Sequence, residues 1–257
     1  MGDVLRVSLI QTDIVWEDKR ANLDKYATIL SHITGDCDLV VFTTGFSMRA
    51  EDLAECIDGE TITEVKKWSR NYNVAIAGSF IARAGNVCFN RGFFIEPDGS
   101  EHYYDKRHLF RMGEEGRHFV SGSEKLVVNY RGWNICLLVC YDLRFPVWCR
   151  NVGNEYDLLL FVANWPQSRS YAWRNLLIAR AIENAAYVCG VNRIGQDATS
   201  MVYRGDTMAI GVKGDVVAES EPFVPQVVNA ELDLSKLKSF REKFPVWKDA
   251  DEFVLKK

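Results

Sequence analysis

The stretch Ile135-Cys136-Leu137-Leu138-Val139-Cys140-Tyr141-Asp142-Leu143-Arg144-Phe145-Pro146 carries most of what this chain says about its fold. Its unbroken apolar run is the pattern of a strand buried on both faces, and Pro146 suits the first turn of a helix. A thiol at that junction sits on a sharp turn facing a helix amino terminus, whose free N–H groups and dipole favour thiolate. Such a site offers a nucleophile with backbone donors aimed at a developing oxyanion. A buried structural cysteine at a strand end fits the same letters.

The alternation continues outward from this stretch. Leu126 to Tyr130 and Trp133 to Val139 flank Arg131-Gly132 as a hairpin. Asp157 to Val162 reads as a second buried strand and repeats the Asp-plus-apolar pattern of Asp38 to Phe42, a weak echo that hints at a duplicated half. Glu17 to Ile33 places Leu23, Tyr26, Ala27, Leu30 and Ile33 at helical steps. Thr61 and Glu64 form a capping-box pair opening a second helix with Val65 and Trp68 on one side. Ser168 to Tyr187 is a long helix. Further strands are expected at Val4 to Ile10, Val74 to Ile81, Val87 to Glu96, Glu101 to Tyr104, Val188 to Asn192, Asp206 to Val212, Val216 to Glu219 and Val227 to Leu232. Many strands among a few helices indicate an α/β protein of packed sheets with helices outside. No low-complexity tract or linker interrupts residues 1–257, so a single domain is expected.

Composition narrows the function. The 257 residues are 47% hydrophobic and 26% charged, which is ordinary globular usage, and a chain this long buries about 73% of its extended surface. A net charge of −4 argues against a nucleic-acid face. No apolar run approaches the ~20 residues of a spanning helix, and the amino terminus alternates like a strand rather than a signal peptide. The seven cysteines are odd in number and lack zinc-type spacing. Reduced thiols in a cytoplasmic protein, with no cysteine-based metal site, are expected. Nucleotide, zinc-protease and G-x-S-x-G hydrolase motifs do not occur.

A second polar stretch, Tyr104-Asp105-Lys106-Arg107-His108-Leu109-Phe110, leaves a strand before an apolar pair. Lys106 there suits either a fixed positive charge for an oxyanion or a solvated loop, and His108 and His118 have the chemistry of general bases. Arg144, Arg174 and Arg193 are candidates for holding a carboxylate, each equally at home in a structural ion pair.

Together these stretches resemble the nitrilase superfamily of carbon–nitrogen hydrolases, in particular its omega-amidase-like branch. The resemblance runs through Gln11-Thr12-Asp13-Ile14-Val15-Trp16, Phe42-Thr43-Thr44-Gly45-Phe46-Ser47-Met48, Asp105 to Met112, Val139 to Trp148, Val162-Ala163-Asn164-Trp165-Pro166, Ala179 to Asn184, Tyr203-Arg204-Gly205-Asp206 and Arg241 to Trp247. It implies a four-layer α-β-β-α sandwich that forms homodimers, and a cofactor-free Glu-Lys-Cys triad acting on a small amide, with 2-oxoglutaramate or 2-oxosuccinamate the favoured substrates. By motif, Cys140 corresponds to the nucleophile that forms a thioester, Lys106 to the oxyanion stabiliser and the Tyr141 N–H to its helper. Glu115, or its neighbour Glu114, corresponds to the accessory glutamate. Asn164, Trp165 and Arg144 correspond to substrate-binding residues.

One part of the pattern is absent. In the family the first buried strand runs on through a Pro-Glu segment whose Glu is the general base, whereas here Val40-Val41 passes directly into Phe42-Thr43-Thr44-Gly45. The next carboxylates, Glu51 and Asp52, lie beyond the loop. An extended residue spans roughly 3.3 Å, so neither reaches the vacated place unless that loop refolds. The resemblance therefore supports an amidase, or a catalytically impaired homologue acting as a dimeric binding protein, with N-carbamoyl-amine hydrolase and nitrilase as variants within the enzyme class.

Overall fold

The computed structural model describes residues 3–33, 37–44, 51–113 and 115–255. Strand β1 (Val4–Gln11) leads to helix α1 (Lys19–His32), which starts where the Asp18 carboxylate accepts from Ala21 N at 2.9 Å. Strand β2 (Leu39–Thr44) follows, parallel to β1, and helix α2 (Glu60–Tyr72) connects it to β3 (Ala75–Ala84), parallel to β2. The capping box expected at Thr61 and Glu64 does not form. Gly59 is the cap residue, and Thr61 lies inside the first turn with its N–H donating to the Glu55 carboxylate at 3.2 Å. Strands β4 (Val87–Ile95) and β5 (Glu101–Asp105) complete the half as antiparallel neighbours.

The second half repeats this logic. β6 (Val127–Tyr130) and β7 (Trp133–Val139) form the expected hairpin, and helix α3 (Pro146–Cys149) leads to β8 (Leu158–Ala163). Helix α4 (Ser170–Asn184) connects to β9 (Tyr187–Asn192), and β7, β8 and β9 run parallel. A small hairpin of β10 (Ile194–Gln196) and β11 (Val202–Arg204) precedes β12 (Met208–Ile210) and β13 (Val216–Glu219). Finally β14 (Gln226–Asp233) returns beside β1 before helix α5 (Leu234–Lys243). Among the described residues the strands form two six-stranded sheets, ordered β14-β1-β2-β3-β4-β5 and β13-β12-β9-β8-β7-β6. No described helix is long and apolar enough to cross a membrane.

The echo between the two Asp-led strands has a physical basis. Asp38 accepts from the backbone N–H of Arg6 in β1 at 2.9 Å, and Asp157 accepts from that of Asn134 in β7 at 3.0 Å. Each aspartate also exchanges backbone bonds with the strands on both sides, Asp38 with Arg6 and Ala75, Asp157 with Asn134 and Tyr187. A buried carboxylate thus pins the start of the middle parallel strand in each sheet.

The α-β-β-α sandwich follows from where the strands send their side chains. Leu5, Val7, Leu9, Leu39, Val41, Ala75 and Ala77 of the first sheet meet Leu137, Val139, Leu158 and Val191 of the second in one buried core. The alternate residues Ile10, Val40, Phe42, Ile76 and Phe93 pack beneath Leu23, Tyr26 and Leu30 of α1 and Ile62, Val65 and Trp68 of α2. On the opposite side α4 lies so close to β9 that a Cβ at Gly190 would stand 2.4 Å from Leu177.

The end of β2 departs from regular alternation. Pairing with β3 shifts register between Val41 and Thr44, and two successive side chains turn toward the same neighbour. Phe42 stacks on Tyr26 at 4.1 Å between centroids, while the buried Thr43 hydroxyl is 3.2 Å from the Tyr26 hydroxyl. The strand end at which the family carries its base is here committed to packing under α1.

Candidate active site

Cys140 follows the last residue of β7 with φ = 49°, a left-handed conformation rare for a side chain this size. Cys140 opens a 3-10 turn, Cys140–Arg144, and the helix expected near Pro146 begins there as the four-residue α3. The thiol therefore stands at the start of a tight turn, whose first N–H groups have no partner within the turn itself. The turn carries Sγ to 3.8 Å from the carbonyl of Asn164, which emerges from the end of the adjacent parallel strand β8.

Lys106 arrives from the other sheet. Its N–H donates to Asn90 O at 2.9 Å, prolonging the β4–β5 ladder by one residue, and Arg91 holds Asp105 beside it through two bonds of 2.7 and 2.9 Å. Gly122 closes over this point. A Cβ there would come within 2.1 Å of Asp105 O, so only glycine admits the approach.

The Lys106 ammonium is 1% exposed and contacts Glu115 at 2.9 Å (Oε1) and 2.6 Å (Oε2). Glu115 also accepts from Asn90 Nδ2 at 2.9 Å and from the backbone N–H of Phe110 at 2.6 Å, which uses both of its oxygens. Burial draws the Lys106 pKa down, but the charge and hydrogen bonds of Glu115, together with Cys140, carry it above the ordinary lysine value. Burial pushes Glu115 up, and Lys106 with the surrounding donors brings it below the ordinary carboxylate value. The pair is accordingly ionised at neutral pH. Burial raises the Cys140 thiol, and the Lys106 charge offsets only part of that rise.

Cys140 and Lys106 open on one cavity of about 290 Å³, whose wall includes Tyr141, Arg144, Asn164, Trp165 and Arg169, with Trp16, Phe110 and Tyr203. The structure thus brings together Cys140, Lys106 and Glu115, with Glu115 behind the lysine, and places Tyr141, Asn164, Trp165 and Arg144 around them. Glu114 lies outside the described residues. Arg174 pairs instead with Asp206 and Glu219, and Arg193 is buried against Asp13 at 2.7 Å. His108 contacts Asp142 at 2.8 Å, and neither it nor His118 lines the cavity.

Sequence reasoning missed Arg169. Its guanidinium lies 5.2 Å from the Phe110 ring centroid, as that of Arg144 lies 5.0 Å from Trp165. Among the described residues neither arginine has a carboxylate partner, so two positive charges of this wall remain available to a ligand. Its placement after Trp165-Pro166 on the cavity side of β8 was the available signal. Among described residues the wall carries one carboxylate, Asp197. That group accepts from Thr199 N and Oγ1, Met201 N and the Tyr203 hydroxyl, at 2.7–3.0 Å. Burial pushes its pKa up, and these donors hold it below the ordinary value. No group of His, Cys, Asp and Glu among the described residues could hold a metal ion.

The carbon-nitrogen hydrolase family model matches residues 6–242. The chain is 45% identical to omega-amidase YafV of Escherichia coli strain K12 over 98% of each chain. It is 31% identical to 2-oxoglutaramate amidase of Bacillus subtilis strain 168, covering 95% of this chain and 96% of that one. Among solved structures it superposes on XC1258 from Xanthomonas campestris, a CN-hydrolase superfamily protein crystallised with an arsenic adduct in its active site. The TM-score is 0.95 at 42% identity, over 98% of this chain and 99% of that one.

Proposed function

The chain belongs to the carbon–nitrogen hydrolase family, and from that premise we propose that it is a cysteine amidase. Its substrates are small carboxylates bearing a terminal amide, of the 2-oxoglutaramate and 2-oxosuccinamate type. The observation that carries this reading is a thiol and a buried ammonium opening on one cavity whose wall also presents two guanidinium groups with no carboxylate partner among the described residues. The names of the two amidase relatives support the substrate class.

In this reading the Cys140 thiolate adds to the amide carbon. The carbonyl oxygen becomes an oxyanion held by the Lys106 ammonium and the Tyr141 N–H. Collapse of the adduct breaks the carbon–nitrogen bond, and the nitrogen takes up, through solvent, the proton that the thiol gave up and leaves as ammonia. Water then adds to the thioester, releasing the acid and restoring the thiol. Glu115 keeps Lys106 charged and aimed, Arg144 and Arg169 take the substrate carboxylate, and Asn164 and Trp165 line the acyl portion. No step calls for a cofactor. Seven free cysteines suit a reducing compartment, so we assign the protein to the cytoplasm. We assign it a homodimeric state by family likeness, which light scattering tests directly.

The end of β2 favours a second reading. With Phe42 and Thr43 packed under α1, no acid occupies that strand's path to the cavity among the described residues. Loss of a positioned general base lowers rates by about 10² to 10⁴, which would leave a binding protein with residual turnover. Ammonia release from 2-oxoglutaramate by the purified chain separates the two. Turnover that disappears in Cys140→Ala supports the amidase, and calorimetric binding without turnover supports the binding protein. Preference for N-carbamoyl amines or nitriles over terminal amides would move the substrate assignment within the family.

A further inference from the structure

A buried carboxylate outside the cavity wall joins the two strand ends that meet there. Asp142 is fully buried. Its Oδ2 accepts from the Tyr104 hydroxyl at 2.8 Å and the backbone N–H of Val139 at 3.1 Å. Its Oδ1 accepts from the backbone N–H of His108 at 3.0 Å and contacts His108 Nδ1 at 2.8 Å. The spacing of these partners is the point. Tyr104 and His108 stand two residues before and two after Lys106, while Val139 and Asp142 bracket Cys140 in its left-handed conformation. The Tyr104 hydroxyl is itself fixed, accepting from Trp148 Nε1 at 3.0 Å and Arg107 N at 3.2 Å.

We propose that Asp142 is a positioning residue that holds the Lys106 segment of the first sheet in register with the Cys140 turn of the second, and thereby sets the separation of ammonium and sulfur. The proposal rests on the amidase reading for the roles of those two groups. Its mechanical content, a shared anchor for both segments, is independent of turnover. A carboxylate suits the place because all its partners are donors. An asparagine there must present its own N–H₂ either to Val139 and Tyr104 or to His108.

The test compares wild type, Asp142→Asn, Tyr104→Phe and the double variant in two assays. One is the rate at which iodoacetamide alkylates Cys140, followed by mass spectrometry of its peptide because Cys56 is exposed and Cys37, like Cys140, is partly so. The other is kcat and KM for ammonia release. Tyr104→Phe should slow alkylation and kcat about tenfold through the lost bond to a charged acceptor. Asp142→Asn should slow kcat about 10²-fold, the effect of an ångström-scale displacement. KM should stay within about twofold in both, because no ligand contact changes. The double variant should be no slower than Asp142→Asn alone.

Faster alkylation in Asp142→Asn would overturn the proposal, since it would mean that the carboxylate acts only through its charge, which opposes the thiolate. Losses that multiply in the double variant would overturn it too. Should Asp142→Asn fail to fold, unchanged alkylation in Tyr104→Phe alone refutes the anchor. Wild type that releases no ammonia, yet shows the expected order of alkylation rates, removes the amidase reading and upholds the anchor.

Discussion

Replacing Glu115 with glutamine tests the electrostatic centre of the site most directly. The side chains of Lys106 and Glu115 are 1% and 2% exposed and lie 2.6 Å apart. Four bonds, from Lys106 twice, Asn90 and Phe110 N, converge on the Glu115 oxygens, so a glutamine amide must set donor against donor on one side. It also leaves the ammonium buried without a counter-charge. Removing one partner of such a pair destabilises by about 3–5 kcal/mol, which for a chain of this size lowers Tm by roughly 6–20 °C. In Lys106→Met/Glu115→Gln both charges are gone, and the double variant should regain most of the loss. The assay is equilibrium denaturation of wild type, both single variants and the double variant. A Glu115→Gln protein within about 1 kcal/mol of wild type would refute the reasoning, as would a double-variant loss equal to the sum of the single losses. The pH dependence has a definite sign. In wild type the pair's contribution is lost as pH falls through the depressed Glu115 value or rises through the elevated Lys106 value, so it is constant across neutral pH. Without Glu115, burial places Lys106 below its usual value of about 10.4, and the variant should gain stability as pH rises toward it.

Three further outcomes are expected. Because the Cys140 thiol is raised and the cavity-wall carboxylate Asp197 is fully hydrogen-bonded, kcat/KM should climb about tenfold per pH unit from neutrality past the ordinary thiol value of about 8.5, and a plateau at neutral pH would show that another group serves as base. Arg144→Met and Arg169→Met should each lower kcat/KM by about 10- to 100-fold for carboxylate-bearing amides, while neutral amides of similar size are little affected; equal losses on both classes would remove the carboxylate clamp. Gly190→Ala forces a methyl within 2.4 Å of Leu177 and 2.8 Å of Trp173, so chemical denaturation should report a loss of about 1–3 kcal/mol, and an unchanged midpoint would contradict the close seat of α4 on β9.

Legibility in the sequence followed how local each signal was. The hairpin strand Trp133–Val139 and the edge strand Val216–Glu219 lie at the expected residues, because a short run of strand-forming residues beside a Gly-containing turn defines each without reference to anything distant. The start of α2 was misread because the acid that serves it, Glu55, sits before the helix in an irregular segment, while Thr61, shaped like a cap, is already inside the first turn. Helix α5 gave no signal strong enough to read. It begins at an Asp233 cap, but its outward face is mostly polar, and the packing of Leu234 and Leu237 becomes apparent only beside the sheets. At the site, Cys140 stood out as the residue where an apolar run meets a polar turn. Arg169 did not, because one arginine in a loop resembles any other until its missing partners can be counted.

The sequence by itself determined which segments become buried parallel strands, that a thiol leaves one of them and a lysine leaves another strand, and that the acid-bearing segment after Val41 is absent. Apolar periodicity and turn chemistry act within a few residues, so the letters suffice for these. Only the tertiary structure decided that Arg144 and Arg169 face the cavity while Arg174 and Arg193 are spent on Asp206, Glu219 and Asp13. It alone showed that Phe42 and Thr43 turn under α1, and that Asp142 reaches back 38 residues to Tyr104. These outcomes depend on how sheets and helices stack, and ion pairs and buried hydrogen bonds are made across those interfaces by whichever groups the stacking brings within about 3 Å.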